Sequence, residues 1–144
     1  MDYVLLISNL LIFCSVLIHQ ASARDRCVWA RGRLVCHKDP VKAGRVEIKI
    51  WDWDGPSWTF WDSDDQMGYD ISEDDGSFAV EGCGDDAFPW NDPDPYLEIF
   101  HYCNGPEGES LMTERFDTFL PDLANFGMID LDDPIELNVT ITKK

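Results

Sequence analysis

The stretch that decides the fold is DPYLEIFHYC, residues 94–103 of the 144-residue chain. Two sets of side chains alternate along it: Leu97, Ile99 and His101 against Glu98, Phe100 and Tyr102. Because successive side chains of a β-strand point to opposite faces of a sheet, this alternation predicts a strand with one face in the core and the other toward solvent. His101 takes an inward position, so we interpret it as a core histidine.

The same period of two recurs on both sides of this stretch, in residues 44–52 (GRVEIKIWD) and 135–142 (IELNVTIT). Shorter strand candidates are residues 28–36, 77–80 and 115–120, whereas residues 122–126 suggest a helical turn. Turn signals rich in Asp, Asn, Gly and Pro separate the runs. About seven short strands with such spacing predict an all-β fold, an antiparallel sandwich of two sheets.

Residues 1–23 are typical of a secretory signal, because an apolar run from Tyr3 to Ile18 precedes the small residues Ala21-Ser22-Ala23. Asp2 stands where Lys or Arg is usual, so an uncleaved anchor stays open as an alternative. Residues 24–144 then form one domain without a further stretch that could span a bilayer. We expect this domain to be secreted and extracellular.

Of the five cysteines, Cys14 lies in the signal, and an even number remains: Cys27, Cys36, Cys83 and Cys103. In an oxidising compartment these four are free to form disulfides. The formal net charge of −17 argues against a nucleic acid or a bare anionic membrane as partner, since affinity for either depends on Lys and Arg. Six tryptophans and many aliphatic residues exclude a disordered acidic tail.

Five segments occur in a characteristic order: RGRLVC (31–36), GRVEIKIWD (44–52), DDQM (64–67), DGSFAVEG (75–82) and DPYLEIFHYC (94–103). Arg115 and Leu120-Pro121 follow them. Together they resemble the nematode transthyretin-like family of secreted proteins. The resemblance implies a transthyretin-like sandwich, in which a sheet of strands D-A-G-H packs on a sheet of strands C-B-E-F. In this chain strand A is residues 28–36 and strand D residues 77–80, while strand B contains residues 46–53 and strand E residues 96–102. It does not specify a ligand, because a shared fold does not transfer function.

The implied topology favours one of the three disulfide connectivities that four cysteines allow. Strand A antiparallel to strand D brings Cys27 beside Cys83, and the ends of strands A and E bring Cys36 to Cys103. Family members usually have counterparts of Cys36 and Cys103, but their other two cysteines lie near Arg115 and at the C-terminus. The resemblance therefore implies that the second disulfide is relocated in this chain.

The transthyretin fold also includes the 5-hydroxyisourate hydrolases, which resemble one another in a His/Arg/His set and a C-terminal Tyr-Arg-Gly-Ser signature. This chain ends in Thr142-Lys143-Lys144 and keeps only His37 and His101 after the signal. A Ser or Cys nucleophile with a placed base cannot be identified from the sequence. We expect a non-catalytic protein without a cofactor, and a hydrolase is the least favoured hypothesis.

Within the acidic segment 52–75, the spacing of four carboxylates suggests a calcium site. Asp62, Asp64, Asp70 and Glu73 occupy positions one, three, nine and twelve of an EF-hand-like register. Met67 stands where that loop needs a sharply turning glycine, so a solvated acidic loop is the alternative. Bound calcium would allow contact with cell-surface or anionic ligands.

Aromatic residues at outward positions of strands B and E predict a surface for an extracellular protein or cell-surface ligand: Trp51, Trp53, Tyr96, Phe100 and Tyr102. Because B and E are neighbours in the implied sheet, we expect these side chains to merge into one exposed patch, extended by Trp58 or Trp61. Cross-strand pairs that only stiffen the sheet are the alternative. Asn138 begins the sequon Asn-Val-Thr and is a candidate glycosylation site.

Overall fold

The structure, a computed structural model, describes residues 26–55, 64–84, 92–133 and 140–142. The predicted signal, Trp58, Trp61, Asp62 and the sequon at Asn138 lie outside these residues. The described residues form eight strands: β1 (Arg26–Val35), β2 (Glu47–Asp52), β3 (Asp65–Ile71), β4 (Ser77–Gly84), β5 (Pro95–His101), β6 (Glu109–Met112), β7 (Leu123–Asp130) and β8 (Thr140–Thr142). A short 3-10 helix, Pro40–Ala43, precedes β2. Within this part of the chain, no helix has the length and apolar character needed to cross a membrane.

The strands form one continuous hydrogen-bonded sheet in the order β6-β5-β2-β3-β4-β1-β7-β8, which we call the ladder. It contains both halves of the implied sandwich, since β3-β2-β5-β6 corresponds to C-B-E-F and β4-β1-β7-β8 to D-A-G-H. The halves are joined where Gly68 of β3 pairs with Gly82 of β4. The chain is therefore a curled, transthyretin-like all-β domain.

Alternating burial along the strands builds the core, as the period of two predicts. Ile48 and Ile50 of β2 are fully buried, and so are Leu97 and Ile99 of β5. One cluster of buried residues contains these side chains together with residues of β1, β4 and β7, such as Val80. Since that cluster joins both halves of the ladder, their inner faces share one hydrophobic core.

One strand pair departs from the antiparallel pattern expected for the sandwich, because β1 and β7 run parallel. Residues 113–122 carry the chain from β6 back to the pole where β1 begins, and there Leu120 N–H donates to the Cys27 carbonyl. The chain therefore enters β7 from the same end as β1.

Two elements were placed wrongly by the sequence pattern. Residues 115–120 are irregular rather than a strand, and the helical turn expected at residues 122–126 is wrong because β7 occupies that region. Alternation in β7 breaks near Gly127, which has a φ of 63° and donates its N–H to Asn125 Oδ1. The register of β1 against β7 shifts between Arg31 and Arg33, so this bulged strand has no clean period of two.

Two disulfides join the ends of the strands, and they are the pairs that the resemblance implies. Cys27 and Cys83 are directly opposite in the β1–β4 ladder, with a Cα–Cα distance of 4.0 Å. Cys36 and Cys103 connect the ends of β1 and β5 across 5.8 Å between Cα atoms. Both Cys36 and Cys103 are buried, whereas Cys83 is exposed.

Candidate functional site

The outward aromatic residues of β2 and β5 form two groups rather than one patch. Trp51 pairs with Tyr96 at one end of the two strands, and Phe100 pairs with Glu47 at the other. Polar side chains lie between them, because Lys49 pairs with Glu98. The expectation of one merged patch is therefore wrong. We use the name Trp group for Trp51, Trp53 and Tyr96, and Phe group for Phe100 and Tyr102.

Glu98 is held in the polar strip by two side-chain donors. Trp51 Nε1 donates to Glu98 Oε2 at 2.8 Å, and Ser110 Oγ donates to Glu98 Oε1 at 2.8 Å. The indole of Trp51 is half-buried and already has its hydrogen-bond partner. This hydrogen bond connects β2 to β5, as the alternative of cross-strand pairing expects.

A cleft of about 1020 Å³ opens beside Trp53 and Tyr96. Met112, at the end of β6, lies on its border with 60% of its surface exposed. Among the described residues that line it, four are carboxylates and one is basic: Asp64, Asp94, Glu114 and Asp117 against Arg115. The cleft thus combines aromatic and apolar walls with a surplus of negative charge.

Arg115 covers the ring of Trp53. Its Cζ is 4.1 Å from the ring centroid, which is the geometry of a cation–π contact. Arg115 Nη1 also lies 3.6 Å from Asp94 Oδ2. Asp94 is fixed by its backbone, since its N–H donates to Asp52 Oδ1 at 2.7 Å and its carbonyl accepts from Trp53 N–H at 3.2 Å. The Trp53 ring, the Arg115 guanidinium and the Asp94 carboxylate are therefore in contact with one another in series.

The irregular residues 113–117 position Arg115. Thr113 N–H donates to the Leu97 carbonyl at 3.0 Å, and Leu97 N–H donates to Thr113 Oγ1 at 2.9 Å. Phe116 N–H donates to the Pro95 carbonyl at 2.9 Å, and its ring is buried. Because the backbone is anchored on both sides of Arg115, its side chain can leave Trp53 without moving the backbone of this segment.

Tyr96 also lines the cleft. Its hydroxyl donates to Asp64 Oδ2 at 2.7 Å, and Asp64 Oδ1 accepts the N–H of Asp54 at 3.3 Å. Burial, and next the hydrogen bond to Asp64, raise the pKa of Tyr96 above its ordinary value. The phenol is therefore neutral under physiological conditions and orients the Asp64 carboxylate.

The Phe group lies at the far end of β5. The rings of Phe100 and Tyr102 meet edge to face, with centroids 5.3 Å apart. A smaller cleft of about 270 Å³ beside them is bordered by two basic residues, Lys42 and Arg45, and one acidic residue, Glu47. The two aromatic groups therefore differ in the charge around them as well as in position.

The TTR-52 family model, described as the transthyretin-like family, matches residues 31–117. This span is more than half of the chain and runs from β1 to the segment that carries Arg115. The chain belongs to the transthyretin-like family. Membership agrees with the strand order of the ladder and with the disulfide between Cys36 and Cys103.

Transthyretin-like protein 46 of Caenorhabditis elegans is 31% identical to this family member over 85 residues. The alignment covers 58% of this chain and 42% of that relative, so the chain spans less than half of the relative's length. Among solved structures, a 9R-lipoxygenase from Cyanothece PCC8801 matches 73% of this chain and 16% of its own, with a TM-score of 0.41 and 16% identity. That likeness is too low to carry an argument.

The acidic residues proposed for calcium do not meet in this transthyretin-like domain. Asp64 precedes β3, Asp70 lies within it, and Glu73 lies in the turn that follows. An extended strand advances about 3.3 Å per residue, so Asp64 and Asp70 are about 20 Å apart along it. The EF-hand-like register is therefore wrong for these three residues, because they cannot share one ion.

The described residues contain one close group of metal-ligating types, formed by Cys36, Cys103 and Asp132. Its two sulfurs are joined in a disulfide and are not thiolate ligands. The group therefore belongs to the disulfide rather than to a cation site.

His101 is a core residue, as its inward position predicts, with 2% of its surface exposed. Its Nδ1 accepts the N–H of Cys103 at 3.3 Å, and its Nε2 is 3.7 Å from Glu109 Oε1. Burial lowers the pKa of His101, while Glu109 and Asp132 oppose this effect. His37 is exposed and lies 3.1 Å from Asp130 Oδ2.

The sequence pattern identified Trp53 and Tyr96 but missed Arg115 and Met112 as site residues. Arg115 was assigned to a strand, although the structure places it in the irregular segment after β6. A signal for it exists, since it is a lone basic residue between Glu114 and Asp117 in a strongly acidic chain. Nothing in the sequence tells that its guanidinium stacks on Trp53.

Proposed function

We propose that this transthyretin-like protein is a secreted, non-catalytic binding module that contacts an extracellular protein or a cell-surface ligand through the cleft around Trp53. The observation that carries this proposal is the open cleft itself, in which Trp53 and Tyr96 stand beside exposed Met112. Trp and Tyr are the commonest energetic anchors of protein interfaces, and Met adapts its shape to a partner.

The disulfides support an extracellular role, and the net charge limits the class of partner. Disulfides persist in oxidising compartments, and this small domain has two of them. The net charge of −17 keeps the protein soluble and disfavours anionic partners.

The positions of the histidines support a role without catalysis. His101 lies at the end of β5 opposite to Pro95, which is on the cleft side, and seven extended residues span about 20 Å. The buried imidazole of His101 hydrogen-bonds to the backbone of Cys103. Because of this distance and this hydrogen bond, His101 is not available as a general base at the cleft.

The test is affinity capture from extracellular fluid and from cell surfaces, using the oxidised secreted protein. Trp53→Ala should abolish capture because it removes the anchor and the support of Arg115. Phe100→Ala is the matched control, since it truncates an aromatic residue of the same sheet face outside the cleft. Both variants are compared with the parent protein by circular dichroism and thermal unfolding before use.

Each other outcome contradicts part of the proposal. Equal capture by Trp53→Ala and the parent protein removes the cleft as the contact surface, and loss only with Phe100→Ala assigns that role to the Phe group. Capture that disappears with a calcium chelator supports the calcium-dependent alternative. Turnover of 5-hydroxyisourate, lost on substitution of His101, would support the hydrolase alternative.

A further inference from the structure

We infer that the cleft binds a cationic side chain, an arginine or lysine of a protein partner, which takes the place of Arg115 on the face of Trp53. This inference rests on the proposed binding role of the cleft and adds the chemistry of the partner and an internal competitor.

The chemistry of the occupant is visible in the structure, because a cation already occupies the Trp53 face. The guanidinium of Arg115 lies 4.1 Å from the ring centroid and 3.6 Å from the carboxylate of Asp94. Indole is the side chain with the strongest attraction for a cation above its ring, and a nearby carboxylate adds to it. A partner's arginine or lysine would find the same two contacts.

Charge favours a cationic occupant over an anionic or neutral one. Arg115 neutralises one of the four carboxylates among the described lining residues. If Arg115 swings out to solvent, the surplus of negative charge next to Trp53 increases. The whole chain, with a net charge of −17, attracts cations over a longer range and repels anions.

Arg115 is held weakly enough to be displaced. The side chains of Arg115 and Asp94 are 50% and 51% exposed, so water screens the ion pair between them. The backbone of the segment is anchored at Thr113 and Phe116 by hydrogen bonds to β5. Displacement therefore requires a change in one side chain only.

This arrangement predicts opposite effects for the two charges beside Trp53. Arg115→Gln removes the internal competitor and should tighten binding of a cationic ligand about two- to fivefold, the range that an exposed pair is worth. Asp94→Asn removes the carboxylate that the ligand would use and should weaken binding by at least about threefold. If Arg115 instead contacted an anionic partner, Arg115→Gln would weaken binding.

The experiment is an NMR titration of the full secreted protein, following the indole N–H of Trp53. The probes are blocked pentapeptides with the sequence Gly-Gly-X-Gly-Gly, where X is Arg, Lys, Leu or Glu. We expect saturable shifts with Arg and Lys, weaker at higher salt, and none with Leu or Glu. Asp74→Asn is the matched control, because it removes one exposed acid that pairs with Arg45 instead of Arg115.

The outcomes separate this inference from the proposed function. If partner capture depends on Trp53 but cationic peptides leave its indole unshifted, the inference fails and the binding role of the cleft stands. Weaker peptide binding by Arg115→Gln, or equal loss with Asp94→Asn and Asp74→Asn, also overturns it. If neither capture nor peptide binding depends on Trp53, both proposals fail. If calcium alone produces the same indole shift, the inference is wrong, and the ligand of the cleft is a metal ion instead of a cationic side chain.

Discussion

Gly68 of β3 lies directly opposite Gly82 of β4, and this pair joins the two halves of the ladder in the described residues. The backbones approach so closely that a Cβ atom on Gly68 would be 2.3 Å from the Glu81 carbonyl oxygen. A Cβ atom on Gly82 would be 2.6 Å from the Met67 carbonyl. Both clashes are with backbone, which cannot yield as a side chain can.

Alanine at either glycine should therefore lower the free energy of unfolding. Overpacking of a tight site typically costs about 1–3 kcal/mol, and we expect Gly68→Ala and Gly82→Ala to fall in that range. Gly105→Ala is the matched control, because a Cβ atom there meets nothing within 4 Å. Urea unfolding measures the difference, and parent-like stability of Gly68→Ala would contradict the close approach.

Much of this architecture could be predicted because strands with one buried face show a period of two. β1, β2, β4 and β5 all carry it, and the family resemblance then places them in order. β7 was missed because its bulge near Gly127 breaks the alternation. Burial at Phe116 and Thr118 does alternate, yet residues 115–120 pair with no strand in the described ladder.

The site could be predicted only in part, since it depends on register and on an irregular segment. Outward positions of β2 and β5 follow from the sequence, but the pairing of Lys49 with Glu98 decides that the aromatic residues separate. The contact between Arg115 and Trp53 joins residues far apart in the chain through hydrogen bonds of residues 113–117 to β5. Such tertiary contacts leave no local periodicity to detect.

The raised pKa of Tyr96 predicts a loss of stability in alkaline solution. Its ordinary value is 10.0, and burial followed by the hydrogen bond to Asp64 raises it in the folded state. Because the folded protein holds this proton more tightly than the unfolded chain, the stabilisation is complete below pH 10 and decreases as the pH rises above it. Tyrosinate absorbance should show a phenol that titrates above the ordinary value, and this step should be absent in Tyr96→Phe.

Asp64→Asn is the variant that tests the second cause of this shift. It removes the negative charge beside the hydroxyl but leaves the burial, so the pKa of Tyr96 should fall part of the way toward its ordinary value. Asp65→Asn, which changes the adjacent exposed residue, is the control. An unchanged titration in Asp64→Asn would show that the hydrogen bond is not present in solution.

Buried His101 predicts a second pH dependence, on the acidic side. Burial lowers its pKa below the ordinary value of 6.5, so the unfolded chain takes up the proton first. The stabilisation from neutral His101 is therefore present above about pH 6.5 and is lost as the pH falls through the lowered value.

Thermal unfolding between pH 7 and pH 5 should show this loss in the parent protein and less of it in His101→Gln. His37→Gln is the control, because His37 is exposed and paired with Asp130. The comparison between variants separates the contribution of His101 from pH effects elsewhere in the protein. The same pH slope in the parent protein and both variants would contradict a folded-state shift at His101.

The two disulfides should contribute differently to stability. Closing a long loop stabilises a small domain by about 2–4 kcal/mol, and each disulfide here closes a loop of more than fifty residues, with sequence separations of 56 and 67. Cys36 and Cys103 are also buried in the hydrophobic core, whereas Cys83 is exposed. Cys36→Ala with Cys103→Ala should therefore cost more than Cys27→Ala with Cys83→Ala, because it adds lost packing to lost loop closure. Urea unfolding of the two double variants measures both costs.

Peptide mapping without reduction checks the pairing of the cysteines before these variants are made. A fragment that links Cys27 to Cys36 would contradict the pairing.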